Sequence, residues 1–225
     1  MIRVTPADEP EDFDRDVRKP GLAAIEKLLG KGPKGRGRPP KTTYSRVEDI
    51  PASALPDLWA AANLLKLYEA YNGTCAYLAI RIPRAVGSRT VDHRVAKNQS
   101  PELAYEWSNY RLACSLMNSR KATFNDVLDP FEVHDEWFEL DPVGRQVLPA
   151  QGLSPDIEAK VQDTIDRLEL NDYECCAARS EWLDPFLENG LPFALLEKWS
   201  PFVAREVRRQ NIKASPPALF PEDID

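Results

Sequence analysis

The sequence predicts an α+β fold in which a small β-rich centre is flanked by helices. Residues 75–95 are rich in β-favouring side chains, although a Pro-Arg-Ala-Val-Gly-Ser stretch interrupts them. Apolar residues recur at helical spacing in residues 53–72 and again beyond Gly152. A chain of 225 residues with 43% hydrophobic content is long enough for one ordinary domain, or for a small module with extensions.

The β-rich centre is predicted to hold two extended segments, of which the second carries Asp92 and His93. A short helix is expected to start at Pro101, and a brief extended piece follows Asn109. A further helix is predicted from about Cys114 to Lys121. The expected order is therefore strand, insertion, strand and helix.

Three regions follow from these elements. Residues 1–50 form an N-terminal arm that ends in a basic linker, Lys31–Lys41, with five basic residues, three glycines and three prolines. Residues 51–150 hold a first helix, the β-rich centre and a β-meander. Residues 151–225 are predicted to be helical. The expected strands of the meander are 131–133, 137–140 and 146–148, and the expected helices start near Ser154 and cover 172–187 and 192–210, the last interrupted near Pro201.

Charge is distributed unevenly along the chain. The net charge is −7, which by itself disfavours binding to nucleic acid. Residues 79–124 nevertheless contain eight basic and three acidic residues, whereas residues 125–225 contain nine basic and 22 acidic ones. The distribution indicates a basic centre joined to an acidic C-terminal half.

The composition also bears on the compartment. No apolar run approaches the length of a membrane span, and residues 1–14 lack the apolar stretch of a signal peptide. We therefore expect a cytoplasmic protein with no membrane partner. The four cysteines, two of them adjacent at Cys175 and Cys176, fit reduced thiols better than a disulfide framework.

Four polar residues in the centre suggest phosphodiester hydrolysis. This reaction needs a base for water and stabilisation of a charged transition state. The histidine side chain ordinarily titrates near neutral pH, so His93 suits the role of base. Asp92 offers a carboxylate and Asn118 an amide oxygen, and both are ligands that Mg²⁺ accepts. Asn109 lies between them in the sequence, just before the second extended piece.

This Asp-His, Asn, Asn-x-x-Lys series resembles the HNH (ββα-metal) nucleases. The resemblance implies that His93 is the general base, that Asn109 orients it, and that Asp92 and Asn118 hold Mg²⁺ or Mn²⁺. Basic residues around the module are expected to contact nucleic acid, namely Arg94, Lys97, Arg120 and Lys121. A variant with His93 replaced by alanine is expected to lose cleavage and keep its fold.

Many HNH proteins also bind structural zinc through two Cys-x-x-Cys pairs. This chain keeps only the first cysteine of each pair, Cys75 and Cys114. Two thiolates fall short of the four ligands of a closed zinc site. We therefore expect no structural zinc.

The wider chain is similar to the PtuB-like HNH nucleases of Septu and retron-associated anti-phage defence. The segments CAYLAIRIP, PELAYEWSNYRLACSLMNSRK and DVLDPFEV carry this resemblance. It implies an ABC-type, PtuA-like ATPase as a partner. Because residues 151–225 are acidic and predicted to be helical, we expect them to form the docking region. DNA is the favoured substrate. Cleavage of RNA such as tRNA by the same site is one alternative, and a non-catalytic subunit that binds nucleic acid or the ATPase is another.

Overall fold

The computed structural model shows a mixed α and β fold, as the sequence predicts. It describes residues 1–31, 42–60 and 62–214. Of the basic linker predicted at Lys31–Lys41, residues 32–41 lie outside the described residues. Among the described helices, none is both long and apolar enough to cross a membrane.

Contacts group the chain into two compact units. The site unit comprises Thr5–Gly73 and Arg84–Asn125. The helical unit comprises Met1–Val4, Thr74–Pro83 and the chain from Asp126 onward. The division into three regions drawn from the sequence remains a prediction.

The site unit is built on an antiparallel strand pair followed by a helix. In the register of the pair, His93 lies opposite Tyr110 and Asp92 lies opposite Arg111. The predicted order is confirmed from the strand that carries Asp92 and His93 to the helix that ends at Lys121. The described elements of this unit are a π-helical turn at Asp14–Arg18, α1 (Lys19–Leu28), α2 (Ala62–Ala70), β1 (Arg89–His93), β2 (Tyr110–Cys114) and α3 (Ser115–Lys121), with 3-10 turns at Val47–Asp49, Ala52–Ala54, Pro101–Tyr105 and Trp107–Asn109.

The helix predicted over residues 53–72 is shorter than expected. Ala52–Ala54 form a 3-10 turn, and α2 is assigned only from Ala62 to Ala70. Leu55, which precedes Pro56, is extended with φ −79° and ψ 127°. A residue before proline is pushed out of the helical region by the proline ring, which explains the break.

The core of the site unit is aromatic. Phe13 packs edge-on against Trp107 and Tyr110, with ring centroids 5.6 and 5.7 Å apart. Tyr105 and Trp107 are buried in this core. Because α2 and α3 both contact β1 and β2, this core supports the strand ends that carry Asp92 and His93.

Gly21 tests the packing of α1 in this core. A Cβ atom at position 21 would come within 2.2–2.5 Å of three ring atoms of Tyr105. We expect Gly21→Ala to lower the free energy of unfolding by about 1–3 kcal/mol, because a rigid ring must move. Chemical denaturation measures this change. Ala23→Gly on the exposed side of α1 is the matched control. There the wild-type protein, with alanine, should be more stable than the glycine variant by about 0.5–1 kcal/mol. A gain in stability for Gly21→Ala would contradict the packing of Gly21 against Tyr105.

The helical unit combines a second strand pair with four helices. Its described elements are β3 (Phe138–Leu140), β4 (Val147–Pro149), α4 (Pro155–Arg167), α5 (Tyr173–Glu188), α6 (Phe193–Trp199) and α7 (Pro201–Arg209), with a 3-10 turn at Asp135–Trp137. β3 and β4 are antiparallel. The predicted helices after Ser154 and the break near Pro201 are confirmed.

Two strand predictions were wrong. Residues 131–133 form a turn, because Asp129 accepts the N–H groups of Glu132 and Val133 through its carbonyl and that of Phe131 through its carboxylate. The first extended segment of the β-rich centre is closed by a tight turn, in which Ala79 N–H donates to Cys75 O. In both segments, local hydrogen bonding decided the conformation.

Candidate active site

Asp92, His93 and Asn118 line one pocket in the site unit. The pocket has a volume of about 240 Å³. The end of β1 contributes Asp92 and His93, and α3 contributes Asn118. The other lining residues are Ala52, Val91, Ala96, Lys97, Asn98, Ala122 and Thr123. Residues separated by 26 positions in sequence therefore meet because α3 folds back onto β1.

His93 is held tightly and is only 6% exposed. Its Nε2 lies 3.2 Å from the carbonyl oxygen of Ala104. A carbonyl only accepts hydrogen bonds, so Nε2 carries the proton and Nδ1 is the basic nitrogen of the ring. The ring packs edge-on between Trp59 and Tyr110, at centroid distances of 4.8 and 5.2 Å.

The surroundings of His93 keep its imidazole neutral. Burial lowers its pKa to about 3, and the positive charges of Lys97 and Lys121 act in the same direction. The bond to Ala104 O raises the pKa but does not offset burial. The ring is therefore uncharged at physiological pH, which is the form that can accept a proton.

Asn109 fixes the loop between the two strands. Its Oδ1 accepts the N–H of Val95 at 2.8 Å, and its Nδ2 donates to Val95 O at 3.1 Å and Leu103 O at 2.9 Å. Both amide N–H groups are thus used on backbone carbonyls. The backbone carbonyl of Asn109 also accepts the N–H of Arg94, the residue after His93, at 2.8 Å. That Asn109 orients the His93 ring stays a prediction.

Replacing Asn109 tests how much these hydrogen bonds stabilise the loop. We expect Asn109→Ala to lower the free energy of unfolding by about 1–3 kcal/mol, because part-buried backbone groups of Val95 and Leu103 lose their partners. Asn109→Asp keeps the acceptor for Val95 N–H but sets a carboxylate against two carbonyl oxygens, so it should be no more stable than the alanine variant. Thermal denaturation compares the variants.

The control for this comparison lies in the same loop. Asn98 is exposed, and we expect Asn98→Ala to change stability by less than about 0.5 kcal/mol. Equal stability of the wild-type protein and Asn109→Ala would show that the loop does not depend on these hydrogen bonds.

Lys121 is fully buried beside the pocket, with a side-chain exposure of 0%. Its ammonium group donates to His93 O and to Arg94 O, and lies 3.4 Å from Asp92 Oδ1. Burial lowers the pKa of Lys121, while the charge of Asp92 opposes that shift. This placement differs from the phosphate contact expected from the sequence, because the ammonium group does not face solvent.

The other three predicted cationic residues are less deeply buried. Lys97 lines the pocket, and its Nζ lies 4.4 Å from the ring centroid of Trp59. Burial lowers the pKa of Lys97. Arg94 is partly exposed and donates to Asn125 O at 3.0 Å. Arg120 is partly exposed on α3. Of these residues, Lys97 is the one placed to meet an anion in the pocket.

No family model matches the chain, and no curated protein matches it.

The oxygen donors at the pocket suit a hard divalent cation. Asp92 supplies a carboxylate and Asn118 an amide oxygen, and such a cation takes its remaining ligands from water and phosphate. Within the described residues, no three His, Cys, Asp or Glu side chains converge on one point. The pocket therefore does not resemble a closed zinc site, which takes four protein ligands. Its two oxygen donors fit a cation whose remaining ligands come from substrate and water. All four cysteines are free thiols.

Sequence reasoning missed two contributors to the site. Trp59 packs on His93 and under Lys97, yet it precedes His93 by 34 positions and no local spacing connects the two. The carbonyl of Ala104, which also accepts from the Tyr110 hydroxyl at 2.8 Å, is a backbone group with no signature in the sequence. His134, the second histidine of the sequence, is exposed in the helical unit and packs against Trp137.

Proposed function

We propose that this chain is a metal-dependent endonuclease of the HNH type that hydrolyses phosphodiester bonds in nucleic acid, with DNA favoured. The observation that carries the proposal is the meeting of Asp92 and His93 from β1 with Asn118 from α3 at one pocket of a strand, strand and helix unit. The antiparallel pairing of β1 with β2 and the return of α3 onto both strands support a ββα-metal module.

In the proposed reaction His93 is the general base. Nδ1 takes a proton from water as the water oxygen bonds to phosphorus, and the bond from phosphorus to one ester oxygen breaks. The leaving oxygen is protonated by solvent. Asp92 and Asn118 would hold Mg²⁺ or Mn²⁺, which when bound stabilises negative charge on the phosphate. Lys97 would meet a non-bridging phosphate oxygen at the pocket.

The proposal extends to an anti-phage defence role with an ABC-type, PtuA-like ATPase. Support for the partner is the similarity of the chain to PtuB-like nucleases, together with its exposed acidic residues. On α4 and the turn after it these are Asp156, Glu158, Asp163, Asp166 and Glu169. Co-expression with such an ATPase and co-purification test this part, and loss of the complex after charge reversal of these residues is the expected result.

One observation favours a second candidate, a binding subunit that does not cut. A base with a pKa of about 3 accepts protons weakly at neutral pH, and burial is the main cause of that value. Asp92 is also 2% exposed and already lies beside the ammonium group of Lys121. With His93 weakly basic and Asp92 paired with Lys121, the site would bind nucleic acid without cleaving it, unless substrate or a partner changes these contacts.

Cleavage assays separate the two candidates. Plasmid DNA and total RNA are incubated with the protein and Mg²⁺ or Mn²⁺, with and without the ATPase. The nuclease proposal expects metal-dependent cutting, and the degraded pool identifies DNA or RNA as substrate. If the folded protein binds plasmid DNA or total RNA but cleaves neither under any of these conditions, the result would support the non-catalytic subunit.

A further inference from the structure

Lys121 is a fully buried cation of the site unit whose role the proposed reaction does not explain. Lysine is almost never fully buried unless it is paired. Its ammonium group has three N–H donors, and three acceptors surround it, namely Asp92 Oδ1, His93 O and Arg94 O. The group is thus fully satisfied without water.

The position of Lys121 on α3 links it to the proposed cation ligands. Asn118 lies three residues earlier, so both side chains occupy the same side of the helix. The three acceptors of Lys121 belong to Asp92 and His93 at the end of β1 and to Arg94, which follows the strand. One side chain therefore ties the part of α3 that carries Asn118 to the strand that carries Asp92.

The charge of Lys121 has a second effect. The ammonium group pairs with the Asp92 carboxylate, which is the group that a divalent cation would need as a ligand. Asp92 and Lys121 together carry no net charge, and Lys97 adds a positive charge at the pocket. A free divalent cation thus approaches a pocket whose charge does not attract it. A phosphate group adds the negative charge that the pocket lacks.

We propose that Lys121 is a positioning residue that also controls cation entry: it holds Asp92 in an ion pair before substrate binds, so that the divalent cation binds together with the nucleic-acid phosphate and not before it. This inference rests on the proposed function. Lys121 does not contact substrate, since it is buried, and it acts through Asp92.

The test measures Mn²⁺ binding directly, without cleavage. Titration calorimetry of Mn²⁺ into the full chain, with and without a short DNA duplex, compares wild type with Lys121→Gln, with Asp92→Asn and with the double variant that combines the two substitutions. Glutamine keeps two N–H donors for the carbonyls of His93 and Arg94 but removes the charge. We expect wild type to bind Mn²⁺ weakly alone and at least tenfold more tightly with DNA.

The variants give opposite results if the inference holds. Lys121→Gln should bind Mn²⁺ without DNA at least tenfold more tightly than wild type, and both variants that carry the Asp92→Asn substitution should lose this binding. Unchanged or weaker Mn²⁺ binding by Lys121→Gln would overturn the inference. If this variant folds poorly, the double variant should be the more stable of the two without Mn²⁺, because it no longer buries a carboxylate from which the Lys121 charge has been removed. Mn²⁺ should raise the melting temperature of Lys121→Gln but not that of the double variant.

Failure of the nuclease proposal is distinguishable from failure of this inference. Tighter Mn²⁺ binding by Lys121→Gln with no cleavage by wild type in any condition would support cation control in a binding subunit. Cleavage by wild type with unchanged Mn²⁺ binding in Lys121→Gln would leave the nuclease in place and remove the role of Lys121.

Discussion

Replacing His93 with glutamine is expected to lower the rate of metal-dependent cleavage by roughly 10²–10⁴-fold, the contribution typical of a general base. Glutamine can keep a hydrogen bond to Ala104 O through its amide N–H, and it fills much of the space between Trp59 and Tyr110. It has no basic nitrogen in place of Nδ1. Single-turnover cleavage of plasmid DNA with saturating Mg²⁺ measures the change.

The fold must be checked in the same experiment. The sequence predicted that His93→Ala would spare the fold, but the ring is buried against two aromatic side chains. We now expect His93→Ala to lose stability through a cavity, so glutamine is the better replacement. A His93→Gln protein with a wild-type melting curve and a wild-type cleavage rate would exclude His93 as the base.

Glu206 is expected to be the most sensitive position of the helical unit. Its carboxylate is 0% exposed and accepts from Leu140 N–H at 3.1 Å, from Arg205 at 3.0 Å and from Arg209 at 2.6 Å. Removing one partner of a buried ionic network leaves the others uncompensated. We expect Glu206→Ala to cost about 3–5 kcal/mol in unfolding free energy, measured by denaturant titration at neutral pH.

The pH dependence gives this prediction a second readout. Burial acts to raise the pKa of Glu206, but hydrogen bonds from Arg209 and Leu140 outweigh it, so the folded-state pKa is lowered. A lowered pKa contributes stability above the unfolded value of about 4.3, and that contribution is lost as pH falls through the folded value. The stability gap between wild type and Glu206→Gln should therefore be largest near neutral pH and narrow below about pH 4.

A neighbouring acid supplies the control for Glu206. Glu197 is exposed on α6 and pairs with Arg208 at 3.0 Å. An exposed ion pair contributes about 0–1 kcal/mol, so Glu197→Gln should leave the unfolding curve almost unchanged. Equal effects of the two substitutions would show that Glu206 is not part of a buried network.

Much of the site unit could be predicted because its signals are local. The β-favouring run before His93, the Asn109 boundary and the helix up to Lys121 all follow from composition and spacing over short stretches. The strand predicted at 131–133 failed because the Asp129 side chain and carbonyl took the N–H groups that a strand would use. Such competition depends on geometry that periodicity does not contain.

The parts of the site that escaped prediction are set by long-range contacts. Lys121 has the sequence context of a surface cation at a helix end, and only the return of α3 onto β1 buries it. The role of Trp59 depends on a loop that meets β1 from a distant part of the sequence. Residue type predicted the chemistry available at Asp92, His93 and Asn118, but not which neighbours tune it.

The interleaving of the two units along the chain has a consequence for synthesis on the ribosome. The N–H groups of Arg3 and Val4 bond to Asp135 and Pro130, partners that are translated more than 120 positions later. All segments of the site unit, by contrast, have been translated by Asn125. Because nascent domains generally fold as their sequence becomes complete, the site unit should acquire protease resistance first. The earliest residues of the chain should be among the last to adopt their native contacts.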